Sequence, residues 1–244
     1  MSARRRTTKR AVRKKKPAPR RTAKRARAPK KRRPRRHLKM AGPILERRSE
    51  PTVPHPLPVD PPRGLVSEWT RVASEEIGDY RIFKVRRDVS VHPRTNTEHR
   101  FVVLEGGDWV NVIPITDDGK VVFVEQFRHG VRANTLEVPG GMVDAGESPS
   151  QAAARELLEE TGYAGGAPVE LGWIHPNPAI QDNRCWSYIV RGARRVAPAH
   201  TEGTEDIAVL EIPLRDVPRL IAAGRITHAL VVVAFQWLWL REGR

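Results

Sequence analysis

GGMVDAGESPSQAAARELLEETGY, residues 140–163, is the stretch on which the reading of this chain turns. Ser148 and Gln151 have capping-box spacing, Pro149 falls at the first helical position, Ala152, Ala153 and Ala154 propagate, and Gly162 suits the position just past the end, so the spacing predicts a short helix. Three carboxylates, Glu156, Glu159 and Glu160, then crowd its last turns. Local physics opposes this: like charges at i and i+4 repel by roughly 0.2–0.5 kcal/mol per pair, and acids near a helix C-terminus oppose the macrodipole. At about 100° per residue the three acids share one side, while Leu157 and Leu158 are expected to point into a core. A hard divalent cation, which takes oxygen ligands and is commonly held by carboxylates together with substrate phosphates, would reverse the sign of the problem. A solvated acidic face is the other reading of the same residues.

The wider string resembles the Nudix box: a glycine, five residues, Glu, seven residues, then Arg-Glu-apolar-x-Glu-Glu-x-Gly-apolar. Here these positions are Gly141, Glu147, Arg155, Glu156, Leu157, Glu159, Glu160, Gly162 and, as a mild variant of the final apolar site, Tyr163. Every specified position matches, which makes the motif far more specific than the acidic triple alone.

Charge is distributed unevenly around this centre. Residues 1–39 carry 21 of the 44 Lys and Arg and no acid, so the remainder has 23 basic against 28 acidic residues; the formal +16 is +21 in the tail and −5 elsewhere. The tail lacks the aromatic and β-branched residues that offset ordering entropy and is expected to be disordered. Its functional reading is an arm, residues 4–36, for nucleic acid or another polyanion, with salt-dependent affinity and no interleaved aromatics to stack on bases. A solvated tail without a partner, a reading frame whose true start is Met40, and an organelle transit peptide are the competing readings. Residues 41–64 are proline-rich and read as an extended linker, which divides the chain into 1–64, tail and linker, and 65–244, one catalytic domain.

Cys185 stands alone, so no intrachain disulfide is available, and a buried thiol is its expected state. The apolar run ALVVVAFQWLWL falls short of the ~20 residues a membrane helix needs and is expected to form a buried helix, with Thr227 as its N-cap. We expect a soluble, cytoplasmic protein with no membrane partner.

Alternating and β-branched stretches from Trp69 to Leu104 predict antiparallel strands, and VNVIPI and VVFVEQF flank an Asp-Gly hairpin turn. After the box, PVELGWI, RCWSYIV and DIAVLEI read as strands and LRDVPRLIAAG as a helix ended by Gly224. Strands in runs with a few helices argue for an α+β architecture. The resemblance implies the same, the Nudix fold, in which mixed and antiparallel sheets are sandwiched between helices and the box forms a loop, a helix and a loop.

The resemblance further implies hydrolysis of a nucleoside diphosphate linked to another group with Mg2+, or Mn2+ in its place. Glu156 and Glu160 would then be the principal metal ligands, Glu159 would share an ion with the main-chain carbonyl of Gly140, Arg155 would orient the carboxylates, and Glu147 would support them from behind or serve as an occasional ligand. Gly140 and Gly141 suit a close backbone approach to metal or phosphate. Pro178, fifteen residues beyond Tyr163, together with TEDIAVLEI and GRITHALVVVAFQWLWL, is similar to the ADP-ribose pyrophosphatase branch of the family. In that branch an acid from a later loop helps bind metal or activates the water, which implies Glu205, or alternatively Glu202, as general base. Arg128 and Arg184 are candidates to grip the diphosphate through paired guanidinium donors, or else are surface ion pairs. The loop NPAIQDNR stands where the branch often has a Gly-rich segment with an acid, a departure that bears on the terminal ribose. Trp69, Trp109, Trp173 and Trp186 are candidates to stack on adenine, and family analogy implies a homodimer. The leading reading is cleavage of ADP-ribose to AMP and ribose 5-phosphate. The alternatives are a nucleotide-sugar pyrophosphatase of other specificity and a nucleic-acid-associated module localised by its basic arm.

Overall fold

The computed structural model describes residues 66–200 and 206–243. The basic arm, the linker and both candidate general bases, Glu202 and Glu205, lie outside the described residues.

The first three strands, β1 (Thr70–Asp79), β2 (Phe83–Val91) and β3 (Glu98–Gly106), form an antiparallel sheet in the order β1-β2-β3. The hairpin expected at Asp118-Gly119 joins β4 (Trp109–Ile115) to β5 (Lys120–Arg128), with Gly119 at φ 78° and its amide donating to the Thr116 carbonyl at 3.0 Å. A left-handed φ of this kind is one that glycine adopts without steric cost. Strands β6 (Ala133–Glu137) and β7 (Gly140–Met142) follow, then helix α1 (Pro149–Thr161), the short β8 (Tyr163–Ala164), β9 (Val169–Ile174), β10 (Cys185–Arg191), β11 (Arg194–Arg195) and β12 (Ile207–Pro213).

The larger sheet runs β12-β5-β4-β10-β9, with β6 paired to β5 and β7 to β4. It is mixed, because β10 lies parallel to β4 while its other pairings are antiparallel. Its central strands are apolar on both faces. Val121 and Phe123 enter one core with Ile113, Ile189, Val217, Val231, Ala234, Phe235 and Leu238, whereas Val122 enters the other with Val110, Val112, Ala152, Ala153, Leu157 and Tyr188. A sheet covered on both sides requires such continuous apolar runs. Helix α1 supplies one cover; α2 (Val217–Ala222) and α3 (Ala229–Arg241) supply the other. The α+β architecture of a mixed sheet between helices is the one expected from the sequence.

Several details differ from expectation. Leu157 is buried at 1% exposure, but Leu158, turned about 100° further round the helix, is 41% exposed and joins no core. The segment 214–224 opens as a 3-10 turn, Leu214–Asp216, before α2 begins, and Gly224 at φ 67° closes it as expected. Thr227 is not the cap of α3. His228 holds that position with extended backbone and without a side-chain cap bond, and its carbonyl already accepts the Val231 and Val232 amides. Among the described residues no helix is long and apolar enough to cross a membrane.

Candidate active site

Helix α1 is capped at both ends as its sequence demands. The Ser148 hydroxyl accepts the Gln151 amide, the Gln151 side chain accepts the Ser148 amide at 2.9 Å, and Gly162 turns left-handed at φ 73°. Two satisfied donors at the start and an αL residue at the end fix the phase of the helix. That phase sends Ala153 and Leu157 into the core and leaves Glu156 and Glu160 on a flank beside β7.

Two glycines on β7 admit close neighbours, of which one is an acid. A side chain at Gly140 would run into the Val110 carbonyl and Asn111, and one at Gly141 would occupy the place of the Glu156 carboxylate. The Gly140 amide donates to Glu160 Oε2 at 3.0 Å, holding a carboxylate that is only 6% exposed.

Arg155 gathers the other acids. Its Nε and Nη2 donate to the two Glu147 oxygens at 3.0 and 2.9 Å, Nη1 donates to Glu156 at 2.7 Å and to Glu159 at 3.2 Å, and Nη2 also reaches the Met142 carbonyl at 2.9 Å. These bonds, that to Glu147 foremost, raise the Arg155 pKa. They also hold the Glu147 carboxyl below its ordinary value, chiefly through the hydrogen bond from Arg155. Glu147 thus touches Arg155 and the Asp144 amide, behind the flank rather than on it.

The structure therefore brings Gly140, Gly141, Glu147, Arg155, Glu156, Glu159 and Glu160 together. Among the described residues, however, no three acidic, His or Cys side chains already converge as an ion's ligands. One guanidinium faces Glu147, Glu156 and Glu159, with Glu160 on the neighbouring amide. Carboxylate oxygens gathered beside an opened backbone are a donor set that fits a hard divalent cation.

The remaining candidates are more dispersed. Arg128, at the end of β5, places its fork on Glu137 with contacts of 2.9 and 2.7 Å. Burial would raise the Glu137 pKa, but the hydrogen bonds from Arg128 and Thr135 outweigh it and lower the pKa. Pro178 is exposed in a turn in which the Asn177 carbonyl accepts the Ile180 amide. The Arg184 guanidinium carbon stands over two indoles, 5.1 Å from the Trp173 centroid and 5.9 Å from that of Trp186. Trp69 is 38% exposed and meets His92, His99 and Phe101 edge-on, and Trp109 is half-buried at the start of β4. Cys185 is buried as expected, and burial with Asp108 nearby pushes its thiol up to about 12.

Two residues with no sequence signal organise the loop that carries Pro178 and Arg184. Asp108 accepts the Arg184 amide at 2.8 Å and the Trp186 indole N–H at 3.0 Å. Arg86 on β2 donates to Asp182 at 2.6 Å and to Glu105 at 2.7 Å, tying the same loop to the three-stranded sheet. Their partners are 76 to 96 residues away for Asp108–Arg184 and Arg86–Asp182, so only the tertiary fold reveals them.

Comparison with known proteins gives the family and the fold. The model of the NUDIX domain matches residues 107–232, more than half of the chain. The chain belongs to the Nudix family. It is 31% identical over 183 residues to the methanol dehydrogenase activator of Bacillus methanolicus, covering 73% of this chain and 97% of that one. It is 28% identical over 177 residues to the ADP-ribose pyrophosphatase of Bacillus subtilis, covering 72% and 95% respectively. It is also 30% identical over 168 residues to the ADP-ribose pyrophosphatase of Mycobacterium tuberculosis, covering 68% and 80%. In fold it matches a solved ADP compounds hydrolase with a TM-score of 0.64 at 19% identity, over 73% of this chain and 97% of the other. This Nudix hydrolase thus carries its box, from Gly140 to Tyr163, as the short strand β7, a loop, helix α1 and the first residue of β8, where a loop, a helix and a loop were expected.

Proposed function

We propose that this Nudix hydrolase is a divalent-metal-dependent pyrophosphohydrolase that cleaves ADP-ribose to AMP and ribose 5-phosphate. The observation that carries the reading is the cradle in which Gly141 leaves space for the Glu156 carboxylate and the Gly140 amide holds that of Glu160. Water adds across the phosphoric anhydride: its oxygen joins one phosphorus, and the bridging oxygen leaves with the other.

Glu156, Glu160 and Glu159, with the Gly140 carbonyl, are the groups that would hold Mg2+ or Mn2+. Bound there, the ion supplies charge neutralisation of the diphosphate and a lowered pKa for the attacking water. Arg155 and Glu147 set the carboxylate orientation, as second-layer partners of metal ligands do. Glu205 takes the proton of the attacking water, with Glu202 as the alternative. Both belong to the segment 201–205, and its flanks support the assignment: the His200 amide donates to the Glu159 carbonyl at 2.7 Å, and Ile207 opens β12 opposite Gln126 of β5. Arg184 and Arg128 contact the diphosphate, Arg184 through N–H groups that make no hydrogen bond among the described residues.

ADP-ribose as substrate is supported by the two relatives named for that activity. A homodimer belongs to the same reading, supported by exposed Val72, Ile77, Phe101 and Val102 on the three-stranded sheet. The test is product analysis with Mg2+ on ADP-ribose, ADP-glucose, GDP-mannose, NADH and diadenosine polyphosphates. AMP released fastest from ADP-ribose supports the assignment, and faster turnover of another compound replaces the substrate.

A further inference from the structure

We infer that Arg86 and Asp182 are positioning residues for the metal-binding cradle, their ion pair fixing the β3–β4 connection on which strand β7 is laid. The role rests on the metal-dependent reading above and extends it to a pair outside the box.

Gly107 and Asp108 connect β3 to β4 and are held from two sides. One side is the box. The Val143 amide donates to the Asp108 carbonyl at 2.9 Å, and a Cβ at Gly107 would stand 3.1 Å from the Met142 Cε. Met142 ends β7 opposite Trp109, and its carbonyl accepts Nη2 of Arg155, the guanidinium that gathers Glu147, Glu156 and Glu159. The other side is the segment 180–184. Asn183, only 4% exposed, donates to the Gly107 carbonyl at 3.1 Å, and Asp108 accepts the Arg184 amide at 2.8 Å. Asp182 Oδ1 accepts the Gly106 amide at 3.4 Å. With two residues between them and close packing around them, a displacement on one side reaches the other.

Arg86 anchors that segment to the three-stranded sheet. Its Nη1 donates to Asp182 Oδ2 at 2.6 Å and to Glu105 at 2.7 Å, and its Nε donates to Asp88 at 3.2 Å. The Arg86 side chain is 17% exposed, and buried Asp88 is itself held by the Ser74 hydroxyl at 2.6 Å. A guanidinium with its donors in one fixed plane sets the direction of its partners as well as their distance. The main chain does less at this point: the Leu104 amide reaches the Ile180 carbonyl at 2.7 Å, but the Asp182 amide stands 3.4 Å from the Leu104 carbonyl, a long contact. The place of Asp182 therefore depends on its side chain. That side chain offers one oxygen to Arg86 and the other to Gly106, which a carboxylate can do and an amide cannot.

The test uses the full chain without substrate. Mn2+ binding is read from the EPR signal of the free ion, and hydrogen exchange of the Gly140 and Val143 amides is read by NMR in the metal-free protein. Arg86→Met and Asp182→Asn are each expected to weaken Mn2+ binding about threefold to tenfold, short of the roughly 10–100-fold carried by groups that touch metal ligands directly. Both are expected to speed exchange at Gly140 and Val143. The double variant should lose no more than Arg86→Met alone, since residues acting through one contact are not additive. Glu105→Gln removes the other short bond of the same guanidinium at an exposed position, and should keep Mn2+ affinity within about twofold, which a general loss of stability would not. Asp182→Asn, at a more exposed side chain, carries the test where Arg86→Met does not fold. Mn2+ affinity that survives in Glu160→Gln removes the metal site, while faster exchange in Arg86→Met still supports the tie to β7, so the two readings fail separately. Exchange and Mn2+ affinity unchanged in both Arg86→Met and Asp182→Asn, or losses that multiply in the double variant, overturn it.

Discussion

The Gly140 amide donates to the Glu160 carboxylate at 3.0 Å across twenty residues of sequence, joining strand β7 to the last turn of α1. The two glycines of that strand make different demands, and this separates stability from activity.

At Gly140 a methyl group would meet the Val110 carbonyl and the Asn111 backbone, which cannot move independently of the sheet. Gly140→Ala is therefore expected to destabilise by about 1–3 kcal/mol, the usual cost of overpacking. Urea unfolding measures it, and an unchanged midpoint would contradict the close approach.

At Gly141 the obstacle is instead the end of the flexible Glu156 side chain. Gly141→Ala should fold with stability within about 1 kcal/mol of the parent, since the carboxylate can swing aside. Its hydrolytic rate should fall at least about tenfold, equivalent to ~1.4 kcal/mol of transition-state stabilisation. Steady-state kinetics beside a melting curve distinguishes this pattern from general misfolding.

Arg155→Lys keeps a positive charge but loses the fork that spans Glu147, Glu156 and Met142. Partners that orient metal ligands typically carry about 10–100-fold in metal affinity. The variant is expected to need correspondingly more Mg2+ for half-maximal rate and to recover much of its rate at saturation. A rate loss that added Mg2+ does not touch would place Arg155 in direct contact with substrate.

The hydrogen bond from Arg155 lowers the Glu147 pKa from its ordinary 4.5 in the folded chain. The unfolded chain then binds this proton more readily, so the pair stabilises the fold above about pH 4.5 and the contribution is lost as pH falls through the folded pKa. Unfolding midpoints between pH 3 and 7 should fall less steeply in Glu147→Gln than in the parent. Parallel curves would show that this pair does not contribute to acid sensitivity.

Much of the site was legible because it is local. Ser148, Gln151, Pro149 and Gly162 specify α1 within one stretch, and the phase they set places Glu156 and Glu160 on one flank. Leu158 was misjudged because adjacency in sequence does not mean a shared face when each residue turns about 100°. Strand β7 carries only Gly140, Gly141 and Met142, too short and too poor in β-branched residues to announce itself. The parallel pairing of β10 with β4 depends on a connection of some seventy residues, beyond the reach of any hairpin signal. Thr227 has the chemistry of an N-cap, yet the backbone turns into the helix one residue later, at His228. The same limit hid the indole platform beneath Arg184, whose arrangement depends on Asp108.

The most direct test of the central claim is AMP release from ADP-ribose as a function of Mg2+ concentration, in the parent and in Glu160→Gln. The account predicts a saturable Mg2+ dependence in the parent and a loss of about a thousandfold in the variant, the scale of the several kcal/mol that a bound cation contributes to a developing anionic charge. Equal rates in the two proteins, or AMP release that persists in full with the metal chelated, would contradict it.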